Sequence, residues 1–284
     1  MRLLVFGYGF SASALARRLR PEGWSIAATF RSSPEPLIAD GVEPAPCDDL
    51  DQLRWQSTRA TAILITAPPG PVECPGHGAL IPALTAARAR PNWIGYLSTT
   101  GVYGDRQGRW VTERSRLAAI SVEGARRVAA ERDWLRSTDA LGLNLAIFRL
   151  PGIYGPGRSV LDRLRAGAAR RISAPGQVFS RIHVDDIAAG LADSIARPRR
   201  GGIYNLCDDE PAPNSDVVAY GAGLLGMAEP PEVALADAGL SPTARRFYAE
   251  SKRVSNALAK AELGWRPAYP SYREGLAAVL AVGG

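Results

Sequence analysis

The chain has 284 residues, of which 46% are hydrophobic and 22% charged, and its formal net charge is +6 at pH 7. This composition excludes an intrinsically disordered protein, and the length suffices for one large domain or two small ones with a substantial core. No apolar run approaches the roughly 18 residues of a membrane span, and no basic and apolar leader precedes the first predicted strand, so we expect an intracellular, cytoplasmic protein without membrane contact.

The net positive charge does not indicate a nucleic-acid partner. Only Lys252 and Lys260 are lysines, and the many arginines are spread along predicted helices and interleaved with acids. A nucleic-acid surface would instead gather basic and aromatic residues into one stripe. We therefore interpret the arginines as solvated helix faces.

Cysteines and histidines do not have the spacing of a metal site or a disulfide framework. Cys47, Cys74 and Cys207 are isolated and odd in number, and His77 is far from His183. The sequence therefore predicts reduced thiols and no bound metal.

The first twenty residues predict a strand, a glycine turn and a helix in immediate succession. The largely apolar run 2–6 precedes a turn of the form G-x-G-x-x-A, and residues 14–19 have helical spacing. Gly7 permits the tight turn, Gly9 lets the backbone approach a diphosphate, and the small Ala12 lets the helix pack against the strand. The helix N-terminus adds unpaired N–H groups and a partial positive charge. We therefore predict that a dinucleotide is bound by Gly7, Tyr8, Gly9, Phe10, Ser11 and Ala12.

The end of the second predicted strand, 25–30, indicates the type of cofactor. An acidic residue about 20 positions after the glycines would bind the ribose 2′-hydroxyl of NAD. This chain has Arg31 and Ser32 there, and an arginine offers a bidentate contact to a 2′-phosphate. NADP is therefore favoured over NAD. The alternative is that Arg31 is one more surface arginine.

Two further strands are predicted before residue 70. The third, 42–46, runs into Asp48 and Asp49, and Asp49 either contacts the adenine amino group or caps the helix that follows. The fourth, 61–66, is apolar and ends in a proline-rich loop that cannot continue the sheet, where we place Ala67 and Pro68 against the cofactor. Apolar strands separated by helices are typical of a parallel sheet covered on both faces.

The fifth predicted strand, 93–98, ends in the sequence S-T-T-G-V-Y-G at positions 98–104. Hydroxyl groups at the carboxyl end of such a strand face the ligand crevice, so Ser98 is a candidate cofactor contact and Thr99 a candidate catalytic residue. A helix is predicted over 115–141 and a sixth strand over 143–149. The loop at 150–157 is rich in turn formers and carries Tyr154.

Beyond residue 150 the alternation loosens into helix 160–169, strand 177–182, a helix opened by Asp185 or Asp186, strand 202–206 and a mostly helical remainder. We predict an α/β protein with a Rossmann-type doubly wound parallel sheet. Residues 1–150 form the dinucleotide-binding core, to which 182–206 return, and residues 151–284 form a smaller, mainly helical substrate lobe.

Several motifs in this order resemble the extended short-chain dehydrogenase/reductase superfamily, in its NAD-dependent epimerase/dehydratase group. They are G-Y-G-F-S-A at 7–12, S-T-T-G-V-Y-G at 98–104, R-L-P-G-I-Y-G-P-G at 149–157, R-I-H-V-D-D-I-A at 181–188, Y-N-L-C-D-D at 204–209 and L-G-W-R-P at 263–267. The resemblance implies a Rossmann core, a nucleotide cofactor and a C-terminal lobe that often accepts nucleotide-sugars.

The chain departs from that family where the proton relay is expected. The family places a Ser or Thr after strand five, here Thr99, and a Tyr-x-x-x-Lys pair on the following helix. Here the tyrosine position is Glu123, or Gly124 if the register slips by one residue, and the lysine position is Arg127 or Arg126. Arginine keeps its proton at any working pH, so Arg127 is predicted to anchor a ribose or phosphate and to form an i, i+4 ion pair with Glu123.

Tyr103 and Tyr154 are the remaining candidates for a catalytic acid, although both also fit packing roles. We expect an NADP(H)-binding oxidoreductase or epimerase-like protein, a monomer or homodimer, that acts on the carbonyl of a small molecule such as a nucleotide-sugar, with Thr99 orienting the oxygen. The alternative is a catalytically silent NADP(H)-binding sensor or regulatory protein.

Overall fold

The computed structural model describes residues 1–283, with the backbone alone at positions 242 and 243. The described chain forms the strands β1 (Arg2–Phe6), β2 (Ser25–Phe30), β3 (Glu43–Pro46), β4 (Ala62–Ile65), β5 (Trp93–Thr99), β6 (Trp110–Val111), β7 (Leu145–Leu150), β8 (Gly152–Tyr154), β9 (Arg171–Ser173), β10 (Arg181–His183), β11 (Gly202–Asn205), β12 (Glu232–Ala234) and β13 (Arg253–Val254). Its α-helices are α1 (Phe10–Leu19), α2 (Glu35–Ala39), α3 (Leu50–Arg59), α4 (Pro75–Ala87), α5 (Val122–Ala140), α6 (Val160–Arg165), α7 (Val184–Ala196), α8 (Asn214–Leu224), α9 (Pro242–Tyr248), α10 (Ala257–Leu263) and α11 (Tyr272–Gly283).

A parallel sheet of seven strands forms the centre of the molecule, in the order β3-β2-β1-β4-β5-β7-β11. The strand order reverses between β1 and β4, and in such a sheet this switch point lies beside the ligand crevice. Alternate residues of β1 enter different cores: Leu3 and Val5 join the cluster that includes α1 and α7, and Leu4 joins the cluster that includes α4. Both faces of the sheet are therefore covered, and the predicted doubly wound α/β fold is confirmed.

Two predicted helix boundaries differ from the structure because side-chain caps decide them. The helix expected over 115–141 begins only at Val122, after the Ser121 hydroxyl accepts a hydrogen bond from the N–H of Gly124 at 3.0 Å. The helix expected to be opened by Asp185 or Asp186 begins at Val184, because His183 caps it: Nδ1 of His183 accepts from the N–H of Asp185 at 3.2 Å. A capping histidine has no distinct sequence signature.

Small two-stranded sheets lie outside the main sheet. β8 pairs with β10, β9 with β12, and β6 with β13. The last pairing matters most here, because it fixes the chain around Arg253 beside Trp110 and so holds the late segment 250–254 against the earlier half of the molecule. Among the described residues, no helix is both long and apolar enough to cross a bilayer.

A buried ion pair joins α5 to the centre of the sheet. Arg149 of β7 donates to both carboxylate oxygens of Glu131, from Nε at 3.1 Å and from Nη2 at 2.7 Å, and each side chain is only 3% exposed. Ser98, at the end of β5, donates its hydroxyl proton to the same carboxylate. The Tyr103 hydroxyl accepts from Nη1 of Arg149 at 3.0 Å and donates to Asn205 of β11 at 2.7 Å. One network therefore holds β5, β7, β11 and α5 together.

Replacing Glu131 with Ala should destabilise the fold strongly, because it leaves the Arg149 guanidinium buried without its counter-charge. We expect the free energy of unfolding in urea to fall by about 3–5 kcal/mol. The matched control is Asp51→Ala, which breaks an exposed pair with Arg54 and should cost less than about 1 kcal/mol. A loss no larger than the control's would contradict a structural role for the buried pair.

Candidate active site

The glycine turn between β1 and α1 has the geometry that a diphosphate requires. Gly7 has a φ of +90°, and a Cβ there would lie 3.0 Å from the backbone nitrogen of Ala67. Gly9 is exposed, a Cβ there would meet no atom within 4 Å, and no side chain caps α1 at this position. The first N–H groups of α1 therefore stand beside open space, which fits a bound diphosphate.

Side chains on the neighbouring strands hold this turn in place. The N–H of Gly7 donates to the Thr29 hydroxyl at 2.9 Å, and the Thr66 hydroxyl donates to the Gly7 carbonyl oxygen. Ser11 and Ala12 are buried under the turn. The turn is thus fixed from β2, β4 and α1, and the loop of Ala67 and Pro68 borders it.

The predicted adenosine side of the site lies at the ends of β2 and β3. Arg31 and Ser32 are exposed directly after β2. The Tyr8 hydroxyl donates to Asp40 at 3.0 Å, and burial together with that hydrogen bond raises the pKa of Tyr8 to about 12. Asp49 caps α3 by accepting from the N–H of Gln52 at 2.9 Å. The cap is observed, and a contact between Asp49 and adenine stays a prediction, as does the role of Arg31.

A cavity of about 430 Å³ opens at the carboxyl end of β5. Thr99 lines it, with Oγ1 accepting from the N–H of Gly101 at 3.1 Å. The opposite wall comes from the C-terminal half of the chain. The apolar members of the lining are Ile153, Val178, Phe179, Phe247 and Val254, and the charged ones are Glu123, Arg158, Arg246, Glu250 and Lys252.

The residues at the family's tyrosine and lysine positions do not pair with each other. Arg127 donates from Nη1 to the Tyr96 hydroxyl at 3.2 Å and to the Leu97 carbonyl oxygen, so its side chain is hydrogen-bonded to β5. Glu123 points the other way and forms an ion pair with Arg246 of α9. The predicted pair within α5 is therefore wrong, because tertiary contacts compete with it. A cofactor contact of Arg127 stays a prediction. The same holds for Ser98, whose hydroxyl donates a hydrogen bond to the Glu131 carboxylate.

Tyr103 and Tyr154, the two predicted acids, are both buried. Tyr103 is fully enclosed in the network of Arg149 and Asn205, and burial raises its pKa to about 12. Burial also raises the pKa of Tyr154, whose hydroxyl reaches the Ser271 carbonyl oxygen at 3.5 Å. Tyr154 lines a second cavity rather than the one at Thr99. Their catalytic roles stay predictions.

The second cavity, of about 380 Å³, adjoins the first and shares Gly152, Ile153 and Arg158 with it. Arg163 and Arg181 also line this cavity. Three guanidinium groups around one cavity favour a ligand with anionic groups, because arginine binds phosphates and carboxylates bidentately.

Lys252 and Glu250 are site residues that sequence reasoning did not identify. Both line the cavity at Thr99, and the Lys252 ammonium donates to the Glu250 carboxylate. They lie far from Thr99 in sequence, and no motif marks them. The amino-acid composition could have drawn attention to Lys252, since it is one of only two lysines in a chain whose other basic residues are arginines.

Comparison with known proteins agrees with this geometry. Residues 79–207 match the model of the NAD dependent epimerase/dehydratase family. Protein YeeZ of Escherichia coli strain K12 is 30% identical over 251 residues, which cover 81% of this chain and 86% of that protein. The 3-diazoavenalumate denitrifying reductase of a Streptomyces species is 32% identical over 162 residues, which cover 53% of this chain and 51% of the reductase.

Solved structures show the same fold. A conserved protein of unknown function from Silicibacter pomeroyi is 46% identical with a TM-score of 0.89, and the match covers 99% of both chains. The UDP-glucose 4-epimerase of Thermus thermophilus, solved with NAD, has a TM-score of 0.79 at 20% identity, covering 99% of this chain and 98% of the epimerase. With a 30% identical relative matched over most of its length, the chain belongs to the NAD-dependent epimerase/dehydratase family.

Proposed function

We propose that this protein is an NADP(H)-dependent oxidoreductase that acts on the carbonyl group of a small anionic molecule. The observation that carries the proposal is the cavity lined by Thr99, at the same end of the parallel sheet as the glycine turn. Arg158 lines this cavity and its guanidinium stands 5.7 Å from the ring centre of Phe10, within that turn. Cofactor turn and cavity are therefore neighbours.

The residues around the turn fit a nicotinamide dinucleotide. Gly9 leaves open space, and the N-terminus of α1 has no side-chain cap, so its N–H groups are available to a diphosphate. Arg31 and Ser32 support the phosphorylated form of the cofactor. Cys47, Cys74 and Cys207 are free thiols, which supports our expectation of a reducing, cytoplasmic location.

The lining of the cavities supports the substrate class. Phe179, Phe247 and Ile153 form apolar walls. Among the charged residues of the lining, Lys252 pairs with Glu250 and Arg246 with Glu123, so the remaining positive charge is that of Arg158. A carbonyl compound with an apolar body and a carboxylate or phosphate matches that lining. A nucleotide-sugar would extend its phosphates into the second cavity, toward Arg163 and Arg181.

A nicotinamide cofactor held by the glycine turn would supply the hydride for the carbonyl carbon. Thr99 would orient the carbonyl oxygen by donating a hydrogen bond to it, since Oγ1 already accepts from the Gly101 N–H and its own hydrogen is left for a ligand. The apolar wall excludes water from the reacting carbon.

A second candidate reaction is the reduction of a diazo compound. The name of the Streptomyces relative states such an activity, and delivery of a hydride to an arenediazonium ion gives the arene and N₂ without uptake of a proton. Glu123 and Arg127, which stand in place of the family's tyrosine and lysine, favour this candidate because it needs no proton donor on α5.

Replacing Gly9 with Ala should weaken the binding of NADPH by about tenfold or more, because the methyl group fills the space that the diphosphate needs. The fold tolerates the change, since the backbone at Gly9 is extended and a Cβ meets no protein atom. Gly223→Ala, also in open space but on α8, is the matched control and should leave affinity unchanged. Titration by NADPH fluorescence measures both, and equal affinity of the two variants would exclude the turn as the diphosphate site.

Replacing Arg31 with Ala should reduce the affinity for NADPH by about tenfold or more and leave that for NADH nearly unchanged, since only NADPH carries the 2′-phosphate. Arg132→Ala, at an exposed position on α5, controls for the loss of one positive charge. Calorimetry with both nucleotides separates the effects. An equal loss for NADPH and NADH would remove the assignment of NADP.

Turnover is tested by following NADPH oxidation with 9,10-phenanthrenequinone, aromatic keto acids, a nucleotide 4-keto-sugar and benzenediazonium, each against a reaction without protein. We expect oxidation with a carbonyl compound, at a rate that Thr99→Val lowers about a hundredfold while NADPH affinity stays the same. Oxidation with the diazonium ion alone would favour the second candidate. Binding of NADPH without oxidation across the panel would indicate a sensor or regulatory protein instead.

A further inference from the structure

We propose that Lys252 is the proton donor of this site and takes over the chemical role of the tyrosine that α5 lacks. The inference rests on the proposed carbonyl reduction and names a further catalytic residue for it. It starts from the position of Lys252 in the wall of the cavity that Thr99 also lines. The residue is 8% exposed, so its ammonium is largely removed from solvent.

Glu250 holds the ammonium in the cavity. It also lines the cavity, its side chain is 13% exposed, and its carboxylate accepts a hydrogen bond from Lys252. A buried ammonium with one carboxylate partner keeps further N–H donors for a ligand, because lysine carries three. Glu250 is therefore a positioning residue for Lys252.

The backbone around these two residues is fixed by hydrogen bonds to earlier segments of the chain. The N–H of Ser251 donates to Asp105 at 2.8 Å, and its carbonyl oxygen accepts from the N–H groups of Arg106 and Gly108, both at 3.0 Å. The Glu250 carbonyl oxygen accepts from Gln177 at 2.6 Å. The donor thus sits on a rigid support, as a catalytic group requires.

The choice of residue type also supports a dissociable proton. Of 34 basic residues in the chain, 32 are arginine, yet the cation buried in this cavity wall beside Glu250 is a lysine. Arginine provides a fixed charge and does not release its proton, whereas lysine does both. The neighbouring Glu123 is exposed and paired with Arg246, so it is not placed to replace Lys252.

The step balances without another reactant. As the carbonyl carbon accepts the hydride of the reduced nicotinamide, the π electrons of the C=O bond move to oxygen. That oxygen forms an O–H bond with a proton from the Lys252 ammonium, whose N–H bond breaks. The products are the alcohol, the oxidised nicotinamide and the neutral amine of Lys252, which regains a proton from water before the next turnover.

A lysine NMR experiment tests the placement without a substrate. Because the chain has two lysines, ¹³Cε-lysine labelling gives two side-chain signals, and Lys260→Arg assigns them. Addition of NADP⁺ should move the Lys252 signal, since the cationic nicotinamide enters its cavity, and leave that of Lys260 on α10, which pairs with Asp209, in place. A Lys252 signal that stays unchanged while the cofactor is bound would overturn the inference. Absence of cofactor binding would overturn the proposed function itself.

Kinetics with 9,10-phenanthrenequinone test the role. Lys252→Ala and Lys252→Arg should both lower kcat about a hundredfold with NADPH affinity unchanged, because neither side chain gives up a proton. Wild-type kcat in Lys252→Arg would show that only the positive charge matters, and would refute proton donation. Glu250→Gln should lower kcat with KM unchanged and move the Lys252 signal before cofactor is added; an unchanged kcat would remove Glu250 as a positioning residue.

Discussion

The ion pair between Glu131 and Arg149 is the constraint on which the rest of the site depends. Two charges that are almost completely removed from water are tolerated only while each keeps its partners, since an uncompensated buried charge costs several kcal/mol. Through Ser98 and Tyr103 the pair reaches β5 and β11. The strand that ends in Thr99 therefore cannot shift against α5, and the cavity keeps its shape before any ligand enters.

That constraint also explains which groups are available for chemistry. The hydroxyl of Tyr103 is occupied on both sides by Arg149 and Asn205, so its proton is part of the fold. Arg127 is likewise occupied, because it ties α5 to the Leu97 carbonyl oxygen of β5. In this structure α5 is therefore bound to the sheet through Arg127, whose contact with a cofactor stays a prediction. The proton donor that we propose, Lys252, lies instead in the opposite wall of the cavity at the end of β5.

The sequence predicted those features that depend on neighbouring residues. The turn at Gly7 and Gly9, the apolar strands and their parallel order follow from local spacing, and the family motifs agree with them. Contacts between distant segments were not predictable. The Glu123 side chain pairs with Arg246 and not with Arg127. The pairing of β6 with β13 brings the segment that carries Lys252 to the cavity. Neither contact can be predicted from neighbouring residues in the sequence, because each depends on how the two halves of the chain pack.

A proton donor needs only to reach the substrate oxygen, and no particular element of the fold has to carry it. The resemblance to the family implies a tyrosine on α5 for this step. The proposed donor on the segment 250–254 reaches the substrate oxygen from the substrate-binding side of the cavity. The residues that bind the substrate and the residue that protonates it then belong to the same part of the fold. In this arrangement a change in substrate shape acts directly on the alignment of the Lys252 ammonium. Selectivity and rate are then coupled through a few residues of the C-terminal half, and the dinucleotide-binding half is left to hold and orient the cofactor.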